Sequence, residues 1–254
     1  MVSSGITEGF SGLPGGVAVS HLSVYDWPAE GGVDDGVCGG TPHMHLTCSE
    51  GYVVTGGRGA VQTLTMADTI SGTTSGYEVT PLAAGTVAWF TPGTIHRLVN
   101  EGDLRITVLM QNSGLPEAGD AVLTLPPRYL TDPETYAAAT AIPVDAPEAE
   151  QERAARARRD LALEGYRALR SAEGPEALAA FHRAAAALVR PRLGEWRERW
   201  ERGALAAATA TGEQLDRLEQ GDFSHLADAA VRAEQPSAYG KFGMCGRLDV
   251  YKGQ

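Results

Sequence analysis

The sequence is short of cysteine, of long apolar runs and, over its first half, of basic residues. Each shortage closes off a class of protein. Cys38, Cys48 and Cys245 are its only cysteines. They are odd in number, widely spaced and without a CxxC pair, which argues against a disulfide framework and fits a reducing compartment. No stretch of about 18 apolar residues occurs, so a membrane-spanning helix is not expected. The opening MVSSGITEGFSGLPGGVAVS has neither a basic start nor an apolar run of signal-peptide length. The expectation is a cytoplasmic protein with no membrane partner. Two common catalytic signatures are also missing, GxSxG and the P-loop.

The scarcity of basic residues is local. Through residue 147, 15 acidic residues face only Arg58, Arg97, Arg105 and Arg128, a balance of −11. Residues 148–232 carry 15 acids and 14 arginines, and the remaining tail is +1. The first region therefore holds essentially all the net charge. A surface of that sign repels phosphate backbones, so nucleic acid is not an expected partner. Polyanionic small substrates are disfavoured for the same reason.

What is present falls into regions of different period. Residues 1–140 contain short β-branched or aromatic runs such as GVAVSHLSVYDW, GYVVTG, GAVQTLTM, GTVAWF and LRITVLM. Gly, Pro, Asn and Asp punctuate them, which predicts seven or eight antiparallel strands in a sandwich, barrel or jelly roll. Residues 141–147 read as a linker, and Asp145 ahead of Pro147 and Glu148 is the expected helix start. Residues 148–232 have helical spacing: Leu178, Phe181, Ala185 and Leu188 form one stripe, and Leu193, Trp196 and Trp200 another. Glu152–Arg156, Glu195–Arg199 and Glu198–Arg202 are i,i+4 pairs on the solvated side. Pro191, Gly203 and Gly212 are expected to divide this region into three or four helices. Residues 233–254 are glycine-rich and aromatic, and either return as a strand to the first sheet or form a tail without a role.

The chemistry is concentrated in GGTPHMHLTCSEGYVVTGG, residues 39–57. Residues two apart on a strand share a face, so His43 and His45 can reach one target. Glu50 lies an odd number of positions beyond His45 and joins them only if LTCS contains a turn or change of strand. GTVAWFTPGTIHRLVN, residues 85–100, adds His96 after a Pro92-Gly93 turn. Three imidazoles and a carboxylate suit one divalent transition metal (Fe, Mn, Zn, Ni or Cu) and suit Ca or Mg poorly.

These two blocks resemble the two signature motifs of the cupin superfamily. The first block matches through His43, His45, Glu50 and Gly57, and the second through Gly85, Gly93, His96 and Asn100. Thr91 stands where the family usually has proline, with Pro92 one place later. The resemblance covers roughly residues 15–125. It implies a mainly β protein, a cupin-type jelly-roll β-barrel over 1–140 followed by a C-terminal α-helical region. It implies one metal held inside by His43, His45, Glu50 and His96, with Gly57 and Gly93 permitting turns, and by family habit a homodimer.

Other pocket residues follow from alternation. Tyr52, two beyond Glu50, is a candidate catalytic partner for Glu50, itself a candidate base. Gln62, Leu64, Leu98, Met110 and Gln111 are candidate substrate contacts, with Val61, Thr63 and Thr65 replacing Gln62 and Leu64 if the strand phase is opposite. Cys48 reads as an inert buried thiol, and Arg97, next to His96, as an outward residue in a surface salt bridge. His21, His182 and His225 read as structural or surface residues. The expected function is a metal-dependent enzyme using isomerase-type or related Lewis-acid chemistry on a small, neutral polar substrate, sugar-like or carbonyl. The alternatives are an Fe(II)-dependent dioxygenase, or a non-catalytic binding cupin whose helical half serves dimerisation or signalling.

Overall fold

A computed structural model describes residues 12–28, 37–66 and 76–251. Its β-strands among these residues are β1 (Ala18–Val24), β2 (His43–His45), β3 (Glu50–Leu64), β4 (Tyr77–Ala83), β5 (Val87–Phe90), β6 (Ile95–Met110), β7 (Ala121–Leu123), β8 (Ala238–Phe242) and β9 (Gly246–Val250). All their ladders are antiparallel.

The two long strands organise the rest. β3 and β6 pair with each other from Glu50↔Met110 to Leu64↔Ile95. On its other edge β3 takes β5 along its first half and β4 along its second. β6 takes β2 at its start and β1 at its end. Bulges between Val54 and Gly59 separate the halves of β3. Gly57 sits there at φ +70°, and a Cβ on it would lie 2.0 Å from the Asp103 carbonyl oxygen, so only glycine fits.

The hydrogen-bonded path runs β4-β3-β6-β1-β9-β8, with β2, β5 and β7 branching from it, and does not return on itself. The expected antiparallel β region followed by helices is present, and among the described residues the sheet does not close into a barrel. Among the described residues the path ends at β4 and β8, which do not pair with each other.

Five α-helices lie among the described residues: α1 (Pro133–Thr140), α2 (Glu148–Ser171), α3 (Glu176–Val189), α4 (Leu193–Trp200) and α5 (Ala206–Glu219). α1 falls inside the region expected to be all β. Asp132 caps it, accepting from the Thr135 backbone N–H at 2.9 Å, and Pro133 opens it. No residue of α1 is buried, so it has no apolar stripe to betray it. α2 begins at Glu148 as expected, but Pro147 stands at its cap position and Asp145 plays no capping part. Gly212 lies within α5 rather than ending a helix, whereas Gly174, which drew no notice in the sequence, marks the α2–α3 break at φ +77°.

The helices share one core with the sheet. Ala162, Leu163, Tyr166, Phe181, Ala185 and Trp196 pack in the same cluster as Ile95, Leu98, Leu104 and Ile106. Leu193, expected in the tryptophan stripe, is 46% exposed. The three i,i+4 ion pairs form, at 2.7, 2.8 and 3.7 Å. This helical layer also reverses the reading of Arg97, which is fully buried and donates from Nη2 to the Val37 carbonyl at 3.1 Å. β6 is covered on both faces at this point, so both phases of its alternation point inward. Burial pushes the Arg97 pKa down to about 10. Among the described residues no helix is long and apolar enough to cross a membrane.

Candidate metal centre

β2 and β6 pair with His43 directly opposite His96, which sets their side chains on one face. His45 ends β2 on the same side, and its carbonyl accepts from Gly93 N–H at 2.9 Å, tying the Pro92-Gly93 turn to the site. Glu50 then opens β3. The chain reverses within LTCS, and Asp120 is what fixes that reversal. One carboxylate oxygen of Asp120 accepts from Thr47 N–H (2.9 Å) and Thr47 Oγ1 (2.7 Å). The other accepts from Cys48 N–H and faces His45 Nδ1, both at 3.2 Å.

Four ligand atoms, one each from His43, His45, Glu50 and His96, lie within 4.8 Å of one another, and all four residues are buried. Glu50 Oε2 is 3.0 Å from His96 Nε2 and 3.3 Å from His45 Nε2. His43 Nε2 is 3.0 Å from His96 Nε2. The far nitrogens are all engaged: His43 Nδ1 at Thr41 O (2.9 Å), His96 Nδ1 at Thr94 O (3.2 Å) and His45 Nδ1 at Asp120. Carbonyl and carboxylate oxygens only accept, so each Nδ1 carries the proton and each Nε2 of a neutral ring presents a lone pair inward. Two such lone pairs facing each other at 3.0 Å repel unless a cation or proton sits between them. The donor set therefore fits a transition metal. The backbone and carboxylate partners behind each ring are the outer contacts that such ligands need.

Electrostatics agree. Burial, then the neighbouring rings of His96 and His45, hold His43 well below its usual value, so it is neutral and able to ligate. Burial works against ionised Glu50, but the adjacent imidazoles of His96 and His45 outweigh it and keep the carboxyl well below the usual range. For His45, burial is outweighed by hydrogen bonds to Asp120 and Glu50, which raise it to about 9 without a cation. Burial and Asp120 push the Cys48 thiol up; it packs beside Thr47 and Asn112, apart from the ligand group.

A cavity of about 370 Å³ opens onto His43, His45 and Glu50. Of the residues expected around the pocket, Met110 lines it. Tyr52 is fully buried against Phe90, with ring centroids 5.4 Å apart, and lies close to Glu50. Burial and the charge of Glu50 keep the Tyr52 hydroxyl protonated. Leu64 and Leu98 belong to the core, Gln62 is buried away from the cavity lining, and Gln111 is exposed and accepts from Ser49 N–H at 3.2 Å. Val61, of the opposite phase, is buried as well, because both faces of β3 are covered there. His21 is exposed and pairs with Thr107 at 3.1 Å. Asp120 was not found by sequence reasoning: AGDAV carries no motif, and His45 is 75 residues away.

No family model and no curated protein matches the chain. Solved structures that share part of it include the Streptomyces nucleoside dehydratase Pac13, at 16% identity and TM-score 0.27, covering 40% of this chain and 63% of that one. KdgF from Halomonas sp. matches at 24% identity and TM-score 0.23, covering 29% and 57%. A predicted oxalate decarboxylase from Thermotoga maritima matches at 18% identity and TM-score 0.25, covering 37% and 64%. The chain thus spans less than two thirds of the length of each.

Proposed function

We propose that this chain is a metal-dependent enzyme of the cupin type that acts on a small, uncharged substrate by isomerisation or related proton-transfer chemistry. The observation that carries this reading is the convergence of three imidazole Nε2 atoms and Glu50 Oε2, with His43, His45 and Glu50 bordering a cavity. A divalent transition metal held there supplies Lewis acidity toward a carbonyl or hydroxyl oxygen.

The chain's own residues supply the rest. His43, His45 and His96 hold the cation as neutral donors, and Asp120 fixes the His45 ring and its protonated nitrogen. Glu50 is ionised and borders the cavity, so its carboxylate can take a proton from a substrate carbon or hydroxyl beside it. The protonated Tyr52 hydroxyl lies in the field of that carboxylate. Among the described residues neither lysine nor arginine lines the cavity, and Glu117 adds negative charge at its wall, which favours a neutral substrate over an anionic one. A homodimer belongs to the same proposal.

Elemental analysis of the purified protein tests the reading. About one transition metal per chain is expected, falling at least tenfold in His96→Ala and Glu50→Ala variants that keep the wild-type circular dichroism spectrum. Oxygen uptake with the iron-loaded protein would instead favour the dioxygenase. A wild-type protein that retains no transition metal sinks both.

A further inference from the structure

The cavity beside the ligands is not walled by the first region alone. Directly opposed residues of an antiparallel ladder point to the same face. Along one row of the sheet Tyr52 opposes Val108, Val108 opposes Ser20, and Ser20 opposes Val250. Along the next, Val54 opposes Ile106, Ile106 opposes Leu22, and Leu22 opposes Leu248. The face that carries Glu50 and Tyr52 is therefore continued by β9, and Met244, Leu248, Val250 and Tyr251 all border the cavity.

This wall is held from the helical region. Between β8 and β9, the Gly243 carbonyl accepts from Arg158 Nη2 of α2 at 2.7 Å and from the Tyr25 hydroxyl at 3.0 Å. The Met244 carbonyl accepts from Thr41 N–H (3.0 Å) and the Cys245 carbonyl from Tyr25 N–H (3.1 Å). Arg247 pairs with Glu148, the first residue of α2, at 2.8 Å. The hairpin turn is thus fixed in place, and what it presents to the cavity is mainly apolar.

We infer that the C-terminal hairpin is the substrate-selecting wall of this site, and that the substrate is amphipathic. Its oxygen-bearing head meets His43, His45 and Glu50, and its apolar body lies against Leu248, Val250 and Tyr251. This inference rests on the metal-dependent reading above and adds to it the element that chooses the substrate. A purely hydrophilic molecule would leave this wall unused and place its hydroxyls against groups that offer few hydrogen bonds.

Two hydroxamic acids with one chelating head, acetohydroxamate and benzohydroxamate, test it on the metal-loaded full-length chain by titration calorimetry. The wild type should bind benzohydroxamate at least about tenfold more tightly, from burial of the ring. Leu248→Asn should shrink that ratio at least about threefold, and the isosteric Val250→Thr should shrink it too while keeping the fold. Metal content and melting temperature are read alongside. A metal-loaded wild type with equal affinity for both acids overturns the inference and leaves the metal site standing, as does an unchanged ratio in folded Val250→Thr. A wild type that holds no metal and binds neither acid overturns the functional reading and this inference together.

Discussion

Asp120→Asn separates the roles of this centre more sharply than removal of a ligand. Each oxygen of Asp120 receives one backbone N–H, from Thr47 at 2.9 Å and from Cys48 at 3.2 Å. A carboxylate satisfies both donors, whereas an amide has only one oxygen. Either orientation of the asparagine sets its NH₂ against a backbone N–H, a cost of about 1–3 kcal/mol. If the NH₂ faces His45, it also meets the protonated Nδ1. The ring then moves its proton to Nε2, and the lone pair aimed at the metal is lost. Outer partners of metal-bound histidine are worth about 10- to 100-fold in metal affinity, or about 1.4–2.7 kcal/mol. The assay is competition against a chromophoric chelator, run beside thermal melting of the metal-free protein. The expected result is metal affinity reduced at least about tenfold and a melting temperature lowered by about 2–12 °C. A variant that melts early yet binds metal within about twofold of wild type would show that Asp120 only shapes the loop, and the argument for its hold on His45 would fail.

Two further outcomes follow from the same charges and contacts. In metal-free protein His45 is raised to about 9, so its contribution is fully present below its unfolded value of about 6.5 and is lost as pH rises through 9. Glu50 and Asp120 are depressed, so theirs is present above about pH 4 and lost as pH falls through their lower folded values. Melting curves in chelator should therefore decline between about pH 6.5 and 9, while saturating metal, which needs His45 neutral, removes that decline; parallel profiles would refute the assignment. Arg159 is fully buried and donates to the Trp27 carbonyl at 2.7 Å and the Pro28 carbonyl at 3.0 Å. Arg159→Ala should cost about 3 kcal/mol in urea denaturation, and a loss below about 1 kcal/mol would mean that water replaces the guanidinium.

The parts of the fold legible in the sequence are those set by local period. Alternation and turn residues mark β3 and β6, and the stripe Leu178, Phe181, Ala185 and Leu188 is buried as its spacing requires. The four candidate ligands were legible through the resemblance to two motifs: His43 and His45 lie on one short strand, Glu50 opens β3 after the LTCS reversal, and His96 follows the Gly93 turn. Local pattern fails where burial comes from elsewhere. Arg97 alternates outward from His96, yet it is buried because the helical layer covers the far face of β6. Strand phase at Val61 and Gln62 was undecidable for the same reason, since a strand covered on both sides carries no alternation.

Asp120 was illegible because it acts across a long stretch of chain, and of the C-terminal hairpin the sequence offered only its return to the first sheet, which the β1–β9 ladder makes; α2 contacts the surroundings of both. Thr124 follows β7, the strand that Asp120 precedes, and its hydroxyl donates to the Ala162 carbonyl of α2 at 2.9 Å. Its backbone N–H donates to the Pro42 carbonyl, the residue before His43, at 3.2 Å. Four residues toward the start of α2, Arg158 holds the Gly243 carbonyl of the hairpin. One helix therefore backs the segment that orients His45, the approach to His43, and the wall that completes the cavity. The two regions that look separable by composition meet at the site, with the candidate ligands from one and a brace for their surroundings from the other. A candidate ligand set read from two motifs marks where a cation would sit, whereas the cavity beside it is shaped by both halves of the chain, Leu22, Val108 and Met110 from the first and Leu248, Val250 and Tyr251 from the second.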